Sequence, residues 1–180
     1  MKKLLLIIVV LAGIFVALFW NNIFSASPQD DSCDISTPEC IVDTVKNTKD
    51  RALCDNIDEK NDLRYTCMGF GVKSLEDLDV CMTYSTSRAK NLCKDAGYFE
   101  LSQYSQILEH CYWIGDQTFQ AFCVGEFAQR NADVSLCDDF SDEKLQCTCY
   151  DRYLSDTSEE TCNALPDGQN NVCLQCIDMI

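Results

Sequence analysis

The chain has one histidine, few helix-breaking residues and few basic side chains. Its 180 residues include only three prolines and seven glycines, and no strand-like alternation of apolar and polar residues recurs. The sequence therefore predicts an all-α protein. With 29 acidic residues against 14 basic ones, the net charge of −15 argues against nucleic acid as a partner. It suits a basic or cationic protein partner.

The single histidine, His110, limits the catalytic chemistry that the chain can support. A Ser-His-Asp triad or a histidine-based zinc hydrolase would have to use this residue, and no serine lies in a Gly-x-Ser-x-Gly motif. His110 is also next to Cys111, which is assigned below to a disulfide. We therefore expect His110 to be a half-exposed helix residue, and we expect no catalytic residue, no bound metal, no cofactor and no enzyme activity.

Cysteine, by contrast, is abundant, and the 14 cysteines are spaced regularly. Such a density in an exported chain is typical of a disulfide scaffold, whereas zinc sites favour several Cys-x-x-Cys pairs with help from histidine. Pairs 12 or 13 residues apart start again about every 26 to 30 residues, which indicates a repeat of one supersecondary unit. The spacing predicts the bonds Cys54–Cys67, Cys81–Cys93, Cys111–Cys123 and Cys137–Cys149.

The last copy of the repeat contains more cysteines than one pair needs. In the earlier copies an apolar residue usually stands four positions before the second cysteine, and Val172 stands there before Cys176. Gln169 stands there before Cys173, which therefore does not match. We predict the bonds Cys162–Cys176, Cys147–Cys173 and, near the start of the domain, Cys33–Cys40. Spacing alone does not choose among the many connectivities of 14 cysteines.

Each copy is interpreted as two short helices joined by a turn. A hairpin of about 27 residues buries too little apolar surface alone, so it needs neighbouring copies, disulfides or both. We predict an array of about five disulfide-stapled helical hairpins, α-solenoid-like, over residues 37–180. A capping helix from Pro38 to about Asn47, with Thr37 as its N-cap, would precede it. The alternative is a compact helical bundle with some disulfides between copies.

The N-terminus predicts export. Lys2 and Lys3 precede an apolar stretch from Leu4 to Trp20, which as a helix would span about 26 Å. We interpret residues 1–24 as a membrane anchor or a signal peptide and residues 25–36 as a linker. The lysines would keep their end in the cytoplasm, which places the rest outside in the single-pass form. If the segment is cleaved, the protein is secreted.

The first copy contains Leu53-Cys-Asp-Asn-Ile57 and then Arg64-Tyr-Thr-Cys67. This pattern resembles cysteine-paired helical-hairpin repeat proteins of the uncharacterised exported type in archaea and bacteria. The resemblance covers about Asp50 to Ile180. The resemblance implies the helical-hairpin fold. It implies no activity for this chain, because no activity is established for those proteins.

Three groups of side chains remain as candidate sites. Two carboxylate clusters could bind calcium, although neither has EF-hand spacing and both also suit a solvated acidic face. Aromatic residues crowd the middle of the array, mostly as core, and any exposed part of that cluster is a candidate partner surface. The C-terminal cysteines could form a redox dithiol. These groups are Asp55, Asp58, Glu59 and Asp62; Asp138, Asp139, Asp142 and Glu143; Tyr104, Tyr112 and Trp113; and Cys147, Cys149, Cys173 and Cys176.

The sequence thus favours a non-catalytic extracytoplasmic protein that binds a partner or serves as a structural surface element. Repeat arrays present extended faces that suit such roles. The alternative is an envelope protein that handles thiols, disulfides or metals through its C-terminal cysteines.

Overall fold

A computed structural model describes residues 36–166, 168–177 and 179, and these residues form helices and no strand. This confirms the all-α prediction. Residues 35–180 form one compact unit. The α-helices are α1 (Pro38–Thr48), α2 (Asp62–Phe70), α3 (Asp79–Met82), α4 (Ser87–Ser105), α5 (Glu109–Tyr112), α6 (Gln117–Asn131), α7 (Glu143–Leu154), α8 (Glu159–Asn163) and α9 (Gln169–Cys176). The 3-10 helices are η1 (Arg51–Asn56), η2 (Glu76–Leu78) and η3 (Val134–Asp139).

The predicted anchor or signal at residues 1–24, nearly all of the linker and Cys33 lie outside the described residues. Cys40, the predicted partner of Cys33, is disulfide-bonded. In the part of the chain that the structure describes, no helix is both long enough and apolar enough to cross a membrane.

The capping helix α1 begins as the sequence predicts. The Thr37 side chain accepts a hydrogen bond from the Cys40 amide at 3.4 Å, and Pro38 occupies the first turn, where no N–H partner is needed. The buried side chains Ile41, Val42 and Val45 lie on one face and join the main core. Helix α1 therefore closes the N-terminal end of the array against α2.

Each copy of the repeat pairs a very short first element with a longer second helix. The first elements are η1, η2 with α3, α5, η3 and α8, and none of these helices exceeds six residues. The second helices are α2, α4, α6, α7 and α9, which have 8 to 19 residues. The prediction of two short helices joined by a turn fits the first elements, which have three to six residues each, whereas the second helices are longer. A 3-10 turn suits a segment that short.

The disulfide of each of the first four copies joins the first element to the second helix. Cys54–Cys67, Cys81–Cys93, Cys111–Cys123 and Cys137–Cys149 are all bonded, with Cα–Cα distances of 5.4 to 5.8 Å. These eight cysteines have no exposed surface. The predicted pairings are confirmed, and each bond lies inside the core of its hairpin.

The two predicted pairings at the C-terminus are wrong. Cys162 is bonded to Cys173, 11 residues later, and Cys147 is bonded to Cys176. Helix α9 begins only at Gln169, so its first buried turn brings Cys173 against α8. Cys176 lies one turn farther along α9, where it reaches α7. The prediction that a disulfide links the fourth copy to the fifth is confirmed, because Cys147 of α7 is bonded to a cysteine of α9. That cysteine is Cys176 and not the predicted Cys173.

Neighbouring copies pack closely in two pairs, copies one and two and copies three and four, and each such pair is called a doublet. Gly69 of α2 lies against α4, where an added Cβ would be 2.6 Å from the Ala96 Cβ. Gly125 of α6 lies against α7, where an added Cβ would be 2.5 Å from the Cys149 carbonyl oxygen and 2.8 Å from the Arg152 Cβ. Both glycines stand two residues after the second cysteine of their copy, so copies one and two repeat the packing of copies three and four.

The two doublets meet through side chains. Phe99 of α4 stacks on Phe119 of α6 with ring centroids 5.2 Å apart. Asp95 of α4 accepts hydrogen bonds from the amides of Gly115 and Asp116, at 2.9 and 3.1 Å, and so holds the turn before α6. One cluster of buried residues extends from α1 to α9. The aromatic junction between the doublets leaves space at the surface.

Candidate binding groove

The second helices of four copies, α2, α4, α6 and α7, surround a groove. At its first end lies a cavity of about 440 Å³, and its wall includes the residue that precedes the second cysteine in each copy. A second cavity of about 560 Å³ follows one helical turn farther on. Phe119 and Phe122 border both cavities, which are therefore two parts of one groove. The four residues before the cysteines are Thr66, Leu92, Phe122 and Thr148.

Four phenylalanines form the apolar wall of the second cavity. Phe99 contacts Phe70 edge to face at 6.0 Å between centroids, and it contacts Phe122 at 5.9 Å. Phe119 and Phe122 are 6.2 Å apart and nearly parallel. Phe70 and Phe99 are almost buried, whereas Phe119 and Phe122 are half-buried. The half-exposed ring faces are suited to contact with another planar apolar group.

Cations gather at the same end of the groove. The Lys46 ammonium lies 4.5 Å from the centroid of the Phe70 ring, and the Arg152 guanidinium lies 4.4 Å from that of Phe122. Arg130 completes the set from α6. One carboxylate, Glu126, pairs with both arginines: directly with Arg152, and with Arg130 at 3.7 Å. The two arginines therefore share a single negative charge.

The other carboxylate at this end, Glu100, already forms an ion pair with Lys49, which does not line the cavity. The Lys49 ammonium is 2.5 Å from the Glu100 carboxylate, and both side chains are largely buried. Lys49 also donates to the Phe70 carbonyl at 3.1 Å. Three cations, Lys46, Arg130 and Arg152, and two carboxylates, Glu100 and Glu126, thus line the second cavity, in a chain whose net charge is −15.

Two polar atoms in the wall of the second cavity have no hydrogen-bond partner. They are the Gln103 side-chain oxygen and the Arg152 Nε, and both are buried. A buried donor or acceptor without a partner is unfavourable, and such groups are infrequent in folded proteins. The wall therefore holds an unsatisfied acceptor on α4 and an unsatisfied donor on α7.

The three aromatic residues predicted as a candidate partner surface make different contacts. Tyr104 is 61% exposed and lies over the Lys49 ammonium, 4.8 Å from the ring centroid. Trp113 is 50% exposed and contacts the ring of Tyr98 at 5.6 Å. Tyr112 donates a hydrogen bond to Asp139 at 3.1 Å. All three are exposed, and none of them lines either cavity of the groove, so a partner surface at these residues stays a prediction.

The C-terminal cysteines that could have formed a redox dithiol belong to different bridges. Cys173 is bonded to Cys162 and Cys176 to Cys147, while Cys149 is bonded to Cys137. All of these sulfur-bearing residues are buried, with at most 2% of their surface exposed. A thiol–disulfide exchange site requires an accessible sulfur, so this arrangement does not favour the redox alternative.

His110 is buried, with 5% of its surface exposed, so the expectation of a half-exposed residue is wrong. Its ring contacts Trp113 at 5.0 Å between centroids, and its Nδ1 is 3.0 Å from the Ser105 hydroxyl. That hydroxyl donates its only proton to the Leu101 carbonyl at 2.7 Å. With that proton on the Leu101 carbonyl, Nδ1 is the donor to Ser105, which is the opposite of what a general base does for a nucleophilic serine.

The first carboxylate cluster is dispersed among structural contacts. Asp55 pairs with the Arg64 guanidinium at 2.8 Å, and Asp58 accepts from the amide of Lys60. Asp62 pairs with Arg88, whose hydrogen bond lowers the pKa of that carboxyl. Glu59 lies in the turn between them as a wall residue of an open depression.

The second carboxylate cluster is divided in the same way. Asp138 accepts from the buried Tyr150 hydroxyl at 2.7 Å, and burial followed by this bond raises the pKa of Tyr150. Burial and the bond to Asp139 raise the pKa of Tyr112 to about 12. Asp142 caps α7, which begins at Glu143. Among residues 36–166, 168–177 and 179, no three His, Cys, Asp or Glu side chains are arranged to hold a metal ion.

Sequence reasoning missed the basic residues of the groove, and an alignment on the second cysteine of each copy contains a signal for one of them, Arg152. The residue before that cysteine and the residue three after it fall on the groove face, which is how Phe70, Phe122, Glu126 and Arg152 come together.

No family model, curated protein or solved structure matches this chain.

Proposed function

We propose that this protein is a non-catalytic, extracytoplasmic binding or structural surface protein, held at the membrane through Leu4 to Trp20 or secreted. The observation that carries the proposal is the bonding of the cysteines. Six disulfides have both cysteines in the described part of the chain, and no free cysteine is found there. Disulfides in such number persist in oxidising compartments and are rare in the cytosol.

The acidic surface and the remaining polar groups support a scaffold role. In the two carboxylate clusters, six of the eight carboxylates cap helices or turns, pair with arginines or accept from tyrosines, and so already have structural partners. His110 is buried with its Nδ1 engaged. A protein built in this way acts through its surfaces and grooves, and its disulfides keep those surfaces in place outside the cell.

The test is a count of thiols in the full-length protein isolated from its own host without reduction. We expect no free thiol under denaturing conditions, and we expect every thiol to appear after reduction. A second measurement, protease access in intact cells, reports the side of the membrane. Free thiols at Cys173 and Cys176, or a bond between these two, would favour the thiol–disulfide alternative, and protection of the whole chain from external protease would contradict the proposed location.

A further inference from the structure

We infer that the groove between α2, α4, α6 and α7 binds a small organic anion with an aromatic body, such as an aromatic carboxylate. The inference rests on the proposed function, and it names the ligand class of that scaffold. Three independent features point to this class: the size of the groove, its phenylalanine wall, and the excess of cations at one end.

The size and shape suit a small molecule. Each cavity, at about 440 and 560 Å³, is within the range of pockets that bind small ligands. Along α4 the groove extends from Leu92 to Gln103, a distance of about 16 Å at the rise of an α-helix. A fused or linked aromatic system fits this length while keeping contact with side chains from both doublets.

The wall favours a planar apolar body. Phe119 and Phe122 present half-exposed faces, and they are held in place from behind by Phe99 and by the Arg152 guanidinium. An aromatic ligand in the groove replaces water at the part of these two rings that remains exposed. Offset and edge-to-face contacts between rings give such a ligand an orientation as well as affinity.

The charges favour an anion. Glu126 neutralises only one of the two arginines beside it, and Lys46 adds a further cation at the rim. The Lys46 ammonium is 3.7 Å from the exposed Asp43 carboxylate on its outer side. Arg130 is the arginine with the weaker hold on Glu126, at 3.7 Å, and it is exposed. A ligand carboxylate can therefore bind Arg130 without breaking the direct pair between Glu126 and Arg152.

The two unpartnered polar atoms lie at the same end. Arg152 Nε is a donor without an acceptor, and the Gln103 side-chain oxygen is an acceptor without a donor. Both atoms are covered in the free protein, so a ligand carboxylate reaches Arg152 Nε, and a ligand hydroxyl or amine reaches the Gln103 oxygen, only when these side chains rotate. These atoms are distinct from those that fix the helices, since the Gln103 amide nitrogen already donates to Ser102 at 3.0 Å.

The experiment compares 2-naphthoate with 2-naphthamide, a neutral molecule of the same shape, by isothermal titration calorimetry on the full-length oxidised chain. We expect 2-naphthoate to bind one site per chain and the amide to bind about tenfold more weakly, as the loss of a charged hydrogen bond predicts. The variant Arg130→Gln should weaken naphthoate binding by about tenfold and leave naphthamide binding unchanged. The matched control is Lys144→Gln, which removes one positive charge from an exposed position of α7 that lines neither cavity.

A second variant, Phe122→Leu, keeps the cavity apolar and should weaken both ligands. Equal affinity for naphthoate and naphthamide, no binding of naphthoate, or equal naphthoate affinity in Arg130→Gln and Lys144→Gln would each overturn the inference. These outcomes are distinguishable from a failure of the proposed function. If all disulfides are formed and naphthoate does not bind, only the inferred ligand class is contradicted. Free thiols in the native protein would contradict the proposed disulfide-stabilised scaffold itself.

Discussion

The bond between Cys147 and Cys176 links the last copy of the repeat to the rest of the array, and its removal gives a stringent test of the structure. The double variant Cys147→Ala/Cys176→Ala opens a loop with a sequence separation of 29 residues. The chain-entropy relation then predicts a loss of about 3.6 kcal/mol in the free energy of unfolding. The assay is guanidinium unfolding followed by far-UV circular dichroism under non-reducing conditions. Helix α9 should lose protection first, because only Cys162–Cys173 and its packing on α7 and α8 then hold it.

The matched variant Cys162→Ala/Cys173→Ala opens a separation of only 11 residues. The same relation gives about 2.8 kcal/mol, so the longer bridge should matter more. Thiol counts add a test that does not depend on energies: both variants should contain no free thiol, whereas the crossed variant Cys147→Ala/Cys173→Ala should contain two. Two free thiols in Cys147→Ala/Cys176→Ala, or none in the crossed variant, would refute the connectivity and the reasoning built on it.

Three further predictions concern packing, a buried ion pair and a tyrosine. Gly125→Ala should lower the free energy of unfolding by about 1–3 kcal/mol, because the new methyl group overlaps the backbone of α7. Gly115→Ala, whose methyl group would make only an ordinary contact of 3.5 Å with the Asp95 carboxylate, should change it by less than about 0.5 kcal/mol, and equal effects would contradict the doublet packing. Lys49→Met should cost about 3–5 kcal/mol by leaving Glu100 buried and unpaired, and adding Glu100→Gln should restore part of the loss in a double-mutant cycle. The raised pKa of Tyr150 means that above pH 10 the unfolded chain loses this proton while the folded chain keeps it, so Tyr150 contributes a fall of about 1.4 kcal/mol per pH unit to the free energy of unfolding there. Tyr112, whose pKa is also raised, adds to the same fall, so Tyr150→Phe should make the slope shallower by about this contribution, and an unchanged slope would exclude this cause.

The first four disulfides could be predicted from the sequence because these copies share one geometry. A cysteine near the middle of a one-turn element meets a cysteine about 12 residues later on the following helix, and the turn between them has nearly constant length. The last copy breaks this rule, since its turn contains Pro166 and its second helix, which starts at Gln169, carries two cysteines. Two cysteines one turn apart on α9 then share a face, and only the position of α7 decides which of them bonds to Cys147.

The lengths of the first elements could not be predicted for a related reason. Short-range signals such as the Asp50 and Asp133 side chains, which accept from amides two residues later, mark where an element begins. They do not determine how far it continues, because that depends on how much apolar surface the neighbouring copy covers. In η1 and η3 the cysteine and at most one other residue are buried, so six residues are enough to place the sulfur.

The repeat fixes the positions of the disulfides, but it does not fix the residue types that line the groove. The cysteines fix the position of each second helix, so the residue just before the second cysteine points into the same space in four copies, whatever its type. The scaffold therefore leaves this position free to differ: Thr66 and Thr148 are small and polar, whereas Leu92 and Phe122 are large and apolar. A purely structural array would gain most by filling this position alike in every copy and closing the space. The combination of small residues on the outer helices with phenylalanine and arginine around the second cavity instead keeps the groove open, and this is the arrangement that a ligand site requires.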